Sequence, residues 1–152
     1  MVEHPRDPEE LQQLLNYRFL NPKLLERALK TPASKTSDVE DNSRLAFLGD
    51  AVIGLAVKEW CHRNENLPDK GALTKKANGI VSDENLATIA HDRELRSWLE
   101  VTNEPQEAKG RDTMLAQAVE ALAGAMYLDS GVHSFRVVRR YLGLQPIQGD
   151  EI

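Results

Sequence analysis

At 152 residues the chain is long enough to bury about two thirds of the surface its unfolded form exposes, and its lone cysteine, Cys61, leaves no room for a disulfide framework, so the core alone must hold the fold. Nineteen Lys and Arg against 24 Asp and Glu give a net charge of −5, which argues against a general nucleic-acid binder, because non-specific affinity comes from neutralising phosphates; any RNA contact must be local or assisted by a metal ion. No apolar run approaches a membrane span, and the acidic, proline-containing start from Met1 to Glu10 has neither a signal-peptide nor a transit-peptide pattern; the expectation is one soluble, intracellular, cytoplasmic domain over residues 1–152, with its core at about 11–142 and short flexible ends.

Asp7 ahead of Pro8 is an N-cap followed by a proline at the first helical position, which starts a short helix running to about Leu15. Asn21 before Pro22 repeats the device, and Leu24, Leu25, Ala28 and Leu29 follow at helical spacing. After a linker-like stretch from Thr31 to Asn42, the segment Ser43 to about Arg63 carries Leu45, Leu48, Val52 and Leu55 on one face and Phe47, Ala51 and Gly54 on another, so this helix is expected to be nearly enclosed. A second linker, Leu67 to Gly71, leads to three shorter helices at Gly71 to Val81, Ser82 to His91 and Glu94 to Val101, with Ser82 capping the second. Beyond a third, Asn103 to Gly110, Asp112 is expected to cap a long helix whose buried stripe is Leu115, Ala118, Val119, Leu122, Ala125 and Met126, and which Ser130 and Gly131 end. A last helix, His133 to about Leu142, buries Phe135, Val138 and Leu142. No strand pattern of any length appears, and the class is all-α.

Two acids stand out against this background. Asp50 lies in the otherwise apolar run from Leu45 to Val52, and Glu120 stands alone among small and aliphatic residues of the long helix. A buried carboxylate is costly unless paired, hydrogen-bonded or bound to metal. Two readings stand open. If the fold brings the two acids together, they must share a proton or a hard cation such as magnesium; otherwise each is satisfied locally, with Arg44 or Lys58 as partner. Cys61 and His62 are sequence neighbours, a poor geometry for a shared metal. Lys75 with Lys76, Lys109 with Arg111, and Arg136 with Arg139 and Arg140 are either phosphate contacts or solvated surface.

The stretch Asn42-Ser43-Arg44-Leu45-Ala46-Phe47-Leu48-Gly49-Asp50-Ala51-Val52 resembles the ribonuclease III signature, usually Asn-Glu-Arg-Leu-Glu-Phe-Leu-Gly-Asp-Ala-Val. Arg111 to Leu122, continuing through Gly124 to Gly131, is similar to the family's second motif. Leu73-Thr74 with Val81 to Ala87 matches the helix pair between the motifs, and Asn16 to Phe19, Asn21 to Leu25 and Ala28-Leu29 match its first helices. The likeness covers roughly Leu11 to Leu142.

This resemblance implies the all-α, dimeric endonuclease-domain fold and magnesium-assisted hydrolysis of double-stranded RNA, with manganese able to substitute. The family site takes two carboxylates from each motif. Asp50 and Glu120 match two of them, as catalytic and metal-holding residues; the other two positions hold Ala46 and Gln117, and Ser43 stands where the signature usually has a glutamate. The compact Mini-III branch, which cleaves RNA, likewise has a small residue at the place of Ala46 and a hydroxyl residue at that of Gln117. Asp50 and Glu120 then form a minimal site, Gln117 orients the attacking water or an outer-shell water, and Lys75, Lys76, Lys109 and Arg111 touch phosphates. The family's homodimer implies an interface of Phe47, Leu48 and Ala51. The chain ends ten residues past Leu142, too few for the RNA-binding domain that commonly follows, so duplex affinity is expected to come from this domain alone. The alternative is a catalytically inactive dimerisation and RNA-docking module, as ribonuclease III-like proteins of the mitochondrial ribosome are.

Overall fold

The computed structural model describes residues 4–32, 40–64, 66–148 and 150; most of the linker expected at 31–42, and the outermost residues of both expected flexible ends, lie outside them. Among the described residues seven α-helices follow in chain order: α1 Pro8–Leu15, α2 Pro22–Ala28, α3 Ser43–His62, α4 Lys70–Val81, α5 Asp83–Asp92, α6 Ala108–Ser130 and α7 Ser134–Tyr141, with 3₁₀ turns at Leu95–Trp98 and Gly131–His133. The starts are set by local chemistry. Asp7 accepts from the Glu9 amide and Asn21 from the Lys23 amide, each ahead of a proline that needs no partner for its missing N–H; Asp69 and Ser82 cap α4 and α5 in the same way.

The two long helices form the centre. α6 is buried nearly all round from Met114 to Met126 and packs chiefly on α3, with α5, α2 and α7 covering its other sides. Glycine makes the α3–α6 contact possible. A Cβ added to Gly49 would sit 1.6 Å from the Glu120 carbonyl oxygen, and one added to Gly124 would sit 2.2 Å from the Leu45 carbonyl oxygen. Backbone therefore lies against backbone at this crossing, and only residues without a side chain fit.

Polar contacts pin the periphery to this pair. Asp129, near the end of α6, accepts from the Tyr17 hydroxyl at 2.7 Å and from the Leu20 and Asn21 amides at 2.9 Å, holding the turn between α1 and α2. Arg139, only 5% exposed, pairs with Glu59 at 2.9 Å and Asp150 at 2.7 Å, while Arg140 donates to the Leu15 carbonyl. The basic group read at 136–140 is thus not a solvated patch, because two of its guanidiniums hold the fold.

Three other expectations are corrected. The long helix begins at Ala108 after Glu107, not at Asp112: Arg111 steadies the entry by donating to the Pro105 and Gln106 carbonyls, and Asp112, a turn inside, faces His91 at 3.2 Å. The helix expected at 94–101 is one 3₁₀ turn. Leu95, Trp98 and Leu99 are buried as that pattern requires, but Glu94 is left-handed (φ 56°) and the chain then extends, the Glu100 amide donating to the Leu29 carbonyl at 2.8 Å. Lys30 and Glu100 there form an isolated parallel bridge, the only strand-like pairing among the described residues. Finally, α3 is not enclosed. Phe47 is 83% exposed, Leu55 58%, and Ala51 is also exposed, so positions 47, 51 and 55 make an outward apolar stripe while Leu48 is half-buried. Among the described residues no helix is long and apolar enough to cross a membrane.

Candidate active site

On α3 and its cap, Asn42, Ala46 and Asp50 recur every four residues and share a face; on α6, Gln117 and Glu120 stand three apart and share another. The glycine crossing brings these two faces together. Asp50 and Glu120 face each other closely enough for the Asp50 carboxyl to act on that of Glu120. Asp50 is exposed, not buried as its apolar surroundings suggest, whereas Glu120 is half-buried. The reason is position: Asp50 projects at the rim of the crossing, while Glu120 sits on the helix that its neighbours cover. Burial first, then the hydrogen bond and charge of Asp50, then the charge of Asp83 push the Glu120 carboxyl up to about 8. Without a cation Glu120 therefore keeps its proton near neutral pH.

The local-partner reading does not describe this pair. Arg44 turns to Glu40 at 3.5 Å, and among the described residues neither Arg44 nor Lys58 forms an ion pair with Asp50. Two hard oxygen donors with no ion-paired cation among the described residues suit one hard divalent ion, with water completing its coordination. They do not amount to a protein cage: among the described residues no three His, Cys, Asp or Glu side chains group closely enough to hold a metal.

Ala46 is buried beside the pair and offers only a methyl group. Gln117 is half-buried and committed on one side, its Nε2 donating to Asn42 Oδ1 at 3.1 Å. Ser43 is exposed, its amide donating to Asp41. Lys75 and Lys76 are exposed on α4 beside an open cleft of about 550 Å³, and Lys109 is exposed at the start of α6. Arg111 is half-buried, with the carbonyl bonds described above holding its guanidinium. Cys61 is buried, and burial pushes its thiol up.

Phe47 and Leu48 flank a second cleft, of about 560 Å³, with Arg27, Arg44 and Leu128 around it. Leu128 is exposed, and the buried Nε of Arg27 has no hydrogen-bond partner among the described residues. Two residues near the carboxylate pair received no role from the sequence. Asp83, at the start of α5, looks like any acid complementing a helix N-terminus; Asn42 opens the signature stretch but stands four residues before Ala46, where no charge draws attention to it. Their roles carry no local signal, because only the packing of α5 and α3 against α6 brings them here.

A family model described as Ribonuclease-III-like matches residues 21–143. Ribonuclease 3 of Pelotomaculum thermopropionicum is 37% identical over 147 residues, covering 92% of this chain and 60% of that protein. Ribonuclease 3 of Campylobacter curvus is 33% identical over 135 residues, covering 88% of this chain and 60% of that one. The chain thus spans about 60% of the length of these relatives. The nuclease domain of ribonuclease III from Campylobacter jejuni, in a structure described for flexibility in its region involved in dimer formation, aligns with a TM-score of 0.80 at 30% identity, covering 90% of this chain and 96% of that one. A 2.2 Å crystal structure of the same domain gives 0.80 at 29% identity, with 94% and 99% covered.

Proposed function

The chain belongs to the ribonuclease-III-like family, and from that premise we propose that it is an endoribonuclease that hydrolyses double-stranded RNA with a reduced, magnesium-dependent site. The observation that carries this reading is the juxtaposition of Asp50 and Glu120 where α3 crosses α6, with neither paired to a cation among the described residues. These two side chains would hold the ion. Bound there, magnesium, or manganese in its place, supplies charge to polarise the phosphodiester and to acidify an attacking water. Glu120 must release its proton before it can hold the ion as a carboxylate, so cation binding competes with protons and strengthens as pH rises toward 8. Gln117, one turn before Glu120 on the same face, orients the water. Lys75, Lys76 and Lys109 contact phosphates at exposed positions, with Arg111 contributing through the donors its loop leaves free. Phe47, Leu48 and Ala51 lie at a homodimer interface, in which the outward apolar stripe of one copy packs against that of the next. A reducing, cytoplasmic compartment suits the lone buried thiol of Cys61.

A second reading rests on Ala46 and Gln117. With a methyl and an amide where the family resemblance expects two further carboxylates, the same fold serves as an inactive dimerisation and RNA-docking module. Cleavage of a long end-labelled RNA duplex at low salt, with magnesium and then manganese, separates the two. Cutting by the protein that its Asp50→Asn form loses is the expected result. Inertness of both proteins on a duplex they still bind would establish the docking module instead.

A further inference from the structure

Asn42 stands at the N-cap position of α3, where an asparagine ordinarily turns its side chain back onto its own helix. It makes no such bond here; the Ser43 amide is met instead by Asp41 Oδ1 at 2.9 Å. The Asn42 side chain is fully buried and reaches between elements, donating through Nδ2 to the Ala28 carbonyl at 3.0 Å and accepting through Oδ1 from Gln117 Nε2 at 3.1 Å. Its backbone amide is fixed too, to the Lys30 carbonyl at 2.9 Å. A local cap has been given up for a bridge from α2 to α6.

The bridge has a direction. Because Nδ2 is committed to a carbonyl, Asn42 cannot flip without setting two oxygens against each other, so it presents only an acceptor to α6. The side chain at position 117 must therefore turn a donor toward it. A planar amide whose nitrogen faces Asn42 turns its carbonyl oxygen away, and Gln117 Oε1 receives no protein donor among the described residues. Gln117 shares its face of α6 with Glu120, and Ala46, between Asn42 and Asp50 on α3, has no polar atom to compete for that oxygen.

We propose that Asn42 is a positioning residue which fixes the Gln117 amide so that Oε1 stands as a neutral third oxygen beside Asp50 and Glu120, and that the site takes one divalent cation per chain. Two carboxylates balance a single double charge; a second ion would find only the neutral amide oxygen and would remain uncompensated. This rests on the metal-dependent reading above and deepens it, assigning the role of Gln117 to an orientation imposed from Asn42.

The test is manganese binding to the full chain without RNA, followed by electron paramagnetic resonance and calorimetry. One competable manganese per chain is expected, absent in Asp50→Asn. Gln117→Leu and Asn42→Ala should each weaken it roughly tenfold, the lower end of what losing an orienting partner costs a metal site. The double variant should bind no more weakly than Gln117→Leu alone, because Asn42 acts only through Gln117. Unchanged affinity in Gln117→Leu, additive losses in the double variant, or two ions per wild-type chain would each overturn the inference while leaving the metal reading intact. Manganese binding that is absent, or indifferent to Asp50→Asn, would overturn both. If Asn42→Ala does not fold, the Gln117→Leu affinity and the wild-type stoichiometry still decide.

Discussion

Glu120 sits between helices that bury half of it, and Asp50 holds a second carboxyl against it. Its carboxyl is pushed from 4.5 up to about 8, first by that burial and then by Asp50 and Asp83. Between those two values the folded chain binds more protons than the unfolded one, so stability falls as pH rises. The contribution is complete below about 4.5 and is lost as pH passes through about 8. In EDTA the thermal midpoint should therefore decline from pH 5 to pH 8, Glu120→Gln should remove that slope, and magnesium should restore the midpoint at pH 8. The effect is modest because half of the group faces solvent. A wild-type midpoint that does not fall across this window would show that the acids do not confront each other. At this scale the sequence marks Asp50 and Glu120 as anomalous, since acids in apolar helices need an explanation. It marks neither Asp83 nor Asn42, whose residue types are ordinary at the start of a helix.

The crossing of α3 and α6 depends on two missing side chains. In a helix interior, replacing glycine by alanine normally gains about 1 kcal/mol from backbone entropy. At Gly124 the new Cβ would meet the Leu45 carbonyl at 2.2 Å, and backbone cannot swing aside as a flexible side chain can. Gly124→Ala is therefore expected to destabilise by about 3 kcal/mol or more, the upper end of ordinary overpacking, and urea unfolding measures it. A neutral or stabilising result would mean that the helices do not approach so closely. Helix starts at Pro8, Pro22 and Asp83 are legible from caps within a few residues. The start of α6 is not: the Asp112 cap signal is outweighed by the Arg111 bonds and by His91 from another helix. Likewise the buried spacing of Leu95, Trp98 and Leu99 reads as a helix, yet pairing of Glu100 with residues 29–31 satisfies that backbone differently.

Over the whole molecule, the outward stripe of Phe47, Ala51 and Leu55, continued by the exposed Leu128, is more apolar surface than α3 needs for its own packing. Two copies related by a two-fold axis would cover it. Analytical ultracentrifugation is expected to find a dimer, and Phe47→Arg a monomer, because the substitution sets like charges into a self-complementary face. An unshifted sedimentation coefficient in Phe47→Arg would remove this stripe from the interface. The stripe also explains why α3 reads as enclosed from sequence: periodicity records which faces are apolar, not whether their cover belongs to the same chain.

By itself the sequence determined the helical class, most element starts, the buried stripe of α6 and the two acids that require a reason. These follow from local rules of capping, periodicity and the cost of an apolar setting for charge, all readable within a few turns. Only the tertiary structure decided that Asp50 and Glu120 come to face each other, that Asp50 is exposed, and that Asn42 leaves its own helix to hold Gln117. Those facts depend on how closely two helix backbones approach at Gly49 and Gly124, more than seventy positions apart in the chain, and separation in sequence carries no record of distance in space.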